Sequence, residues 1–93
     1  MKARDFERKA KAIVGNEKHF KLYTDIGFCD GHDICEIQLW MTDPWEQDNL
    51  VLTTSSNGDD ATDMLVLSDI GNRLKLCKEY ARTHYDYKNR MQL

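Results

Sequence analysis

Cysteine, histidine and cysteine recur at every third position in Cys29-Asp30-Gly31-His32-Asp33-Ile34-Cys35, a spacing that could offer thiolates and an imidazole to zinc. Structural zinc takes about four ligands in a tetrahedron, as a rule from two separated pairs. No second pair of cysteines or histidines follows, so the segment reads as a turn histidine beside reduced thiols, with no metal and no cofactor expected. A second set is Asp25, Glu36 and Gln38. Carboxylates held side by side can bind a divalent cation that activates water for attack on a phosphodiester. The three histidines, His19, His32 and His84, fall on different segments. Neither a glycine-flanked serine nor a glycine-rich phosphate loop accompanies them. Asp59, Asp60 and Asp63 could attract Ca²⁺, but their spacing is not that of a calcium loop.

The elements that must position these residues are legible. Residues 3–14 place Phe6, Ala10, Ile13 and Val14 at helical spacing, and Gly15-Asn16 supplies a stop. Residues 19–41 alternate around Asp30-Gly31, a dipeptide suited to a two-residue hairpin turn. That turn pairs Phe28 with Asp33, Ile26 with Cys35, Thr24 with Ile37, Leu22 with Leu39 and Phe20 with Met41. One face becomes almost wholly apolar, and a slip of one residue would destroy the agreement. The opposite face receives Lys21, Tyr23, Asp25 and Cys29 from one strand and His32, Ile34, Glu36, Gln38 and Trp40 from the other. Asp25 then lies across the ladder from Glu36, whereas Cys35 points away from Cys29 and His32.

A loop from Thr42 to Asp48 leads to a third strand over 49–55, and Asn57-Gly58 signals another turn. Met64–Leu67 reads as a short fourth strand or part of a long loop. Ser68-Asp69 is the expected cap of a final helix with Ile70, Leu74, Cys77, Ala81 and His84 on its apolar stripe. The expected fold class is α+β: a single-domain, small two-layer sandwich. It comprises an N-terminal helix (1–15), a three- to four-stranded antiparallel meander with its loops (18–67), a C-terminal helix (68–86) and a frayed tail (87–93).

An aspartate near a Glu-x-Gln strand, in a core that begins helix then sheet, loosely resembles the pattern of PD-(D/E)xK nucleases. The resemblance implies a Mg-dependent nuclease with Asp25 and Glu36 on the metal. The family's lysine and its preceding proline are both missing here, and a half-exposed polar sheet face accounts for the same residues without catalysis. Nuclease activity therefore stands as the lesser alternative to a protein that is not an enzyme.

Charge is segregated along the 93 residues. Residues 1–21 carry a net +4 and residues 70–93 a net +4. Between them, residues 22–69 hold eleven carboxylates and no lysine or arginine. Such a chain folds into a body with a polarised field. A sequence pI near 5.5 and carboxylates around the exposed aromatics disfavour direct nucleic-acid binding. No apolar run approaches the length of a membrane span, no secretion signal precedes the domain, and three unpaired cysteines suit a reducing compartment, so a cytoplasmic protein is expected.

The acidic middle reads instead as a ligand for a basic groove. Tyr23, Glu36, Trp40, Asp43, Trp45, Glu46, Asp48, Asp59, Asp60 and Asp63 are the candidate partner-binding residues, with Pro44-Trp45 as the hot spot. Substituting Asp59, Asp60 and Asp63 together is expected to weaken binding. In size and charge layout the chain resembles small proteins of phages and mobile elements that block host nucleases, including anti-CRISPR proteins; no family motif carries the likeness. It implies a non-catalytic accessory or inhibitor protein acting on a nucleic-acid-handling partner. A homodimer or assembly subunit, joined through the polar sheet face or an open sheet edge, is the alternative of a different class.

Overall fold

The computed structural model describes the backbone of residues 1–91 and the side chains of residues 1–85. Its order is α1 (Ala3–Val14), β1 (Phe20–Cys29), β2 (His32–Thr42), β3 (Asp48–Ser55) and α2 (Asp60–Met91). The three strands form one antiparallel sheet in the order β1-β2-β3. Both helices pack on the same face of that sheet, giving an α+β fold in two layers.

In α1, Ala3, Phe6, Ala10 and Val14 are buried, one stripe along a helix whose other positions are largely charged. Gly15 ends it with φ 62°, and its N–H returns to the Lys11 carbonyl at 2.8 Å. The hairpin turn sits at Asp30 (φ 51°) and Gly31 (φ 84°), both left-handed as a tight two-residue turn requires. The β1–β2 register is the expected one at every position, from Phe20↔Met41 to Cys29↔His32. Cys35, Ile37, Leu39 and Met41 are accordingly buried against the helices. Each large apolar side chain so covered contributes about 1.5–3 kcal/mol.

The β2–β3 ladder is less regular. Leu39 pairs with Leu52 but Trp40 pairs with Leu50, so β3 carries one extra residue at Val51. A bulge of this kind bends the strand and re-aims its side chains.

The largest departure from expectation lies after β3. Met64–Leu67 is helical, and no fourth strand exists among the described residues. Asp59 is the cap: its Oδ1 accepts the Ala61 N–H and its Oδ2 accepts the Thr62 hydroxyl, each at 3.1 Å. Asp60 and Asp63 in the first turn suit the positive end of the helix dipole. Burial there is periodic: Asp63, Leu67, Ile70 and Leu74 are buried, while Met64 and Leu65 are exposed. Ser68 and Asp69, expected as the cap, lie inside the helix. The helical backbone runs through to Met91, and the end of the expected tail lies outside the described residues. At the far end of the sheet α2 is tied down by Tyr85, which stacks on His19 at 3.9 Å and donates its hydroxyl to the Thr42 carbonyl.

Candidate partner-binding surface

The sheet face turned away from the helices is built by alternation. Lys21, Tyr23 and Asp25 project from β1, Glu36, Gln38 and Trp40 from β2, and Leu50, Thr53 and Ser55 from β3. No helix covers this face among the described elements. Asp25 stands directly opposite Glu36, and both are exposed. Neither carries a salt bridge among the described residues. Like charges in direct cross-strand apposition are destabilising. The two carboxylates flank an open depression of about 520 Å³ that Gln38, Thr53 and Ser55 complete.

Next to it lies a second depression of about 320 Å³ lined by Tyr23, Gln38, Trp40 and Asp48. Trp40 is half-buried, its indole N–H donating to Gln38 Oε1 at 3.2 Å. Tyr23 is 55% exposed. Asp48 accepts the Thr42 hydroxyl at 2.8 Å and Lys21 Nζ at 3.0 Å, and these two bonds hold its carboxyl below the usual carboxylate range. The same contact raises Lys21 above the ordinary lysine value. Asp48 is therefore a partly neutralised rim, and Asp25 and Glu36 supply the free negative charge.

The loop between β2 and β3 is organised by Asp43. Its Oδ1 accepts the Trp45 and Gln47 backbone N–H groups at 2.9 Å, and its Oδ2 accepts Asn49 Nδ2 at 3.1 Å. Asp43 thus acts as a loop clasp. Pro44 is fully buried, which leaves Trp45, 65% exposed, as the accessible part of the expected Pro44-Trp45 hot spot. Glu46, beside it, is exposed with φ 64°.

Asp59, Asp60 and Asp63 are at the opposite end, beside the hairpin turn, where Gly58 approaches His32. The structure does not bring them to the sheet face. Asp59 is spent on the helix cap. Asp60 is exposed but pairs with the N-terminal ammonium of Met1, which lowers its pKa and raises that of the ammonium. Asp63 is completely buried and is corrected from a partner contact to a structural group. Its Oδ1 accepts the Asn57 N–H at 3.0 Å; among the described residues its Oδ2 accepts no hydrogen bond and lies 3.4 Å from the Met1 ammonium. The triple substitution expected to report on binding would instead disturb the start of α2.

Cys29 and His32 are cross-strand neighbours, while Cys35 is enclosed in the core with its thiol pushed up to about 11, first by burial and next by Glu7. Burial also raises Cys77. Among the described residues, no three His, Cys, Asp or Glu side chains converge where they could hold a metal ion. The described helices include none long and apolar enough to cross a membrane.

Leu50, Thr53 and Ser55 belong to the outer face and were not singled out from sequence, because the bulge at Val51 breaks the alternation that would have shown them. Asp25 and Gln38 were visible there as chemistry candidates rather than contact residues. Comparison of the chain with protein-family models, with curated proteins and with solved structures finds no match to any of them.

Proposed function

We propose that this chain is a small non-catalytic binding protein that presents the outer sheet face to a basic, nucleic-acid-handling protein and so blocks it, in the manner of phage or mobile-element inhibitors of the anti-CRISPR type. One observation carries the reading: Asp25 and Glu36 stand opposite each other, exposed and, among the described residues, without a salt bridge, on a face that no described helix covers. The fold gains nothing from that apposition, whereas a cationic groove that normally takes phosphates would neutralise both carboxylates at once. Tyr23 and the accessible part of Trp40 flank the charges, with Trp45 and Glu46 on the adjoining loop, an aromatic-and-acidic composition suited to an interface anchor. The partner is a protein; no direct nucleic-acid contact and no cofactor enter the proposal.

Immobilised protein is tested against nuclease-treated lysate of its source cells, with elution by duplex DNA or RNA. The reading expects a basic nucleic-acid enzyme that is retained, is displaced by nucleic acid, and is lost when Asp25→Asn and Glu36→Gln are combined. Retention that ignores both the competitor and the double variant contradicts it. The nuclease alternative is checked in the same preparation by incubating DNA and RNA with Mg²⁺ or Mn²⁺ beside a Glu36→Ala control. Cleavage that the control lacks would replace the binding reading.

A further inference from the structure

β1 is one edge of the sheet, and no strand pairs with its outer side among the described residues. The Asp30-Gly31 turn makes Cys29↔His32 a closely hydrogen-bonded pair, so the backbone groups of odd-numbered β1 residues face β2. Those of Phe20, Leu22, Thr24, Ile26 and Phe28 face the open edge. Natural edges are guarded by proline, bulges, inward-pointing charges or brevity. This one is ten residues long, without proline and without a bulge, and its one lysine, Lys21, is drawn across the sheet to Asp48. β3, the other edge, carries the bulge.

The edge residues on the helix side are also incompletely covered. Phe20, Leu22 and Ile26 are only half-buried against the core, and Phe28 is 74% exposed. We propose that β1 is a self-pairing edge, through which two copies of this chain join antiparallel about a dyad at Thr24 into one continuous six-stranded sheet.

The register follows from what must face what. With the dyad at Thr24, Phe28 meets the Phe20 position of the second copy and Leu22 meets Ile26, so every half-covered apolar residue of the edge gains an apolar neighbour. On the outer face, Lys21 falls opposite Gly27, which has no Cβ and nothing within 4 Å of where one would stand. Tyr23 falls opposite Asp25. Moving the dyad to Asp25 would oppose two aspartates; moving it to Tyr23 would leave Phe28 without a partner. On the helix side Glu7 reaches Thr24 Oγ1 at 2.7 Å and so lies beside the dyad, with Lys11 Nζ 3.7 Å from its carboxylate to offset the charge of its counterpart. The ladder closes on the order of ten backbone hydrogen bonds. The outer faces of the two copies then run on as one surface.

Sedimentation of the full chain over a wide concentration range, with two edge variants, tests this. Wild type should rise from the 10.9 kDa monomer toward twice that mass. Gly27→Lys sets two lysines against each other at both ends of the interface, and Phe28→Ser removes the exposed ring without opposing a second carboxylate to Asp33 within the monomer. Both positions are open in the monomer, so both variants should remain monomeric with wild-type circular dichroism, and should match wild-type melting at dilutions where wild type is itself monomeric. Wild type that stays monomeric throughout would overturn the proposal. So would a dimer that survives both edge variants, or one dissolved by Leu65→Asp with Leu76→Asp on the exposed side of α2.

Discussion

At the turn end of the molecule Asp59, Asp60 and Asp63 are each engaged by the fold: one caps α2, one pairs with an ammonium, one is buried under an Asn57 N–H. In the middle of the outer sheet face Asp25 and Glu36 oppose each other and carry no salt bridge among the described residues. Both groups come from the same cation-free stretch, and by charge count they are interchangeable. Their surroundings separate them. A carboxylate with native donors serves stability, whereas a pair held in repulsion on an open face is what the proposed partner contact would neutralise.

Substitutions that remove one group at a time should separate the two sets by their effect on stability. Asp63→Ala is expected to have the largest effect. It strips a completely buried carboxylate from the Asn57 N–H and the Met1 ammonium, and should cost about 3 kcal/mol or more in urea unfolding. A cost below about 1 kcal/mol would mean that the α2 start does not depend on it. Asp59→Ala removes a helix cap and should cost about 1 kcal/mol, with reduced hydrogen-exchange protection confined to the first turn of α2.

Acid titration should show a smaller effect. The folded pKa values of Asp48 and Asp60 lie below their ordinary values, so folding binds fewer protons at these sites than the unfolded chain does. Their contribution is present above the unfolded pKa and is lost as pH falls through the folded one. Asp48→Asn should therefore flatten the fall of melting temperature at low pH, and an unchanged slope would count against the Lys21–Asp48–Thr42 contact. The smallest effect belongs to the sheet face. Asp25→Asn with Glu36→Gln should leave stability unchanged or raise it by about 0.2–1 kcal/mol, through relief of the cross-strand repulsion. A clear loss of stability would show that the pair serves the fold after all.

How much of this could be read from the chain depends on where side-chain alternation survives. The β1–β2 hairpin was legible residue by residue because Asp-Gly fixes the turn and period-two burial fixes the face. Asp25 opposite Glu36 followed from that register alone. β3 was legible as a strand but not in its facing, since the extra residue at Val51 inverts the alternation partway along. The sequence misplaces the start of α2 because Met64-Leu65-Val66-Leu67 is a continuous apolar run that fits a short strand as well as a helical turn. Only the hydrogen bonds of Asp59 decide between them. Asp63 reads as surface charge for a related reason: a buried carboxylate next to an ammonium looks, in sequence, like one more acidic residue in a polar turn. Pro44 was grouped with Trp45 by adjacency, and the fold buries one and exposes the other.

On the proposed function the outer sheet face, and not the turn-end cluster, is the surface that meets a partner. The most direct measurement retains a basic nucleic-acid enzyme from source-cell lysate on three forms of the protein in parallel: wild type, Asp25→Asn with Glu36→Gln, and Asp60→Asn. The sheet-face variant should lose the partner while Asp60→Asn keeps it at wild-type strength and wild-type salt dependence. Loss with Asp60→Asn and retention by the sheet-face variant would contradict the proposed function, and would move the binding surface to the end of the molecule where α1 and α2 begin.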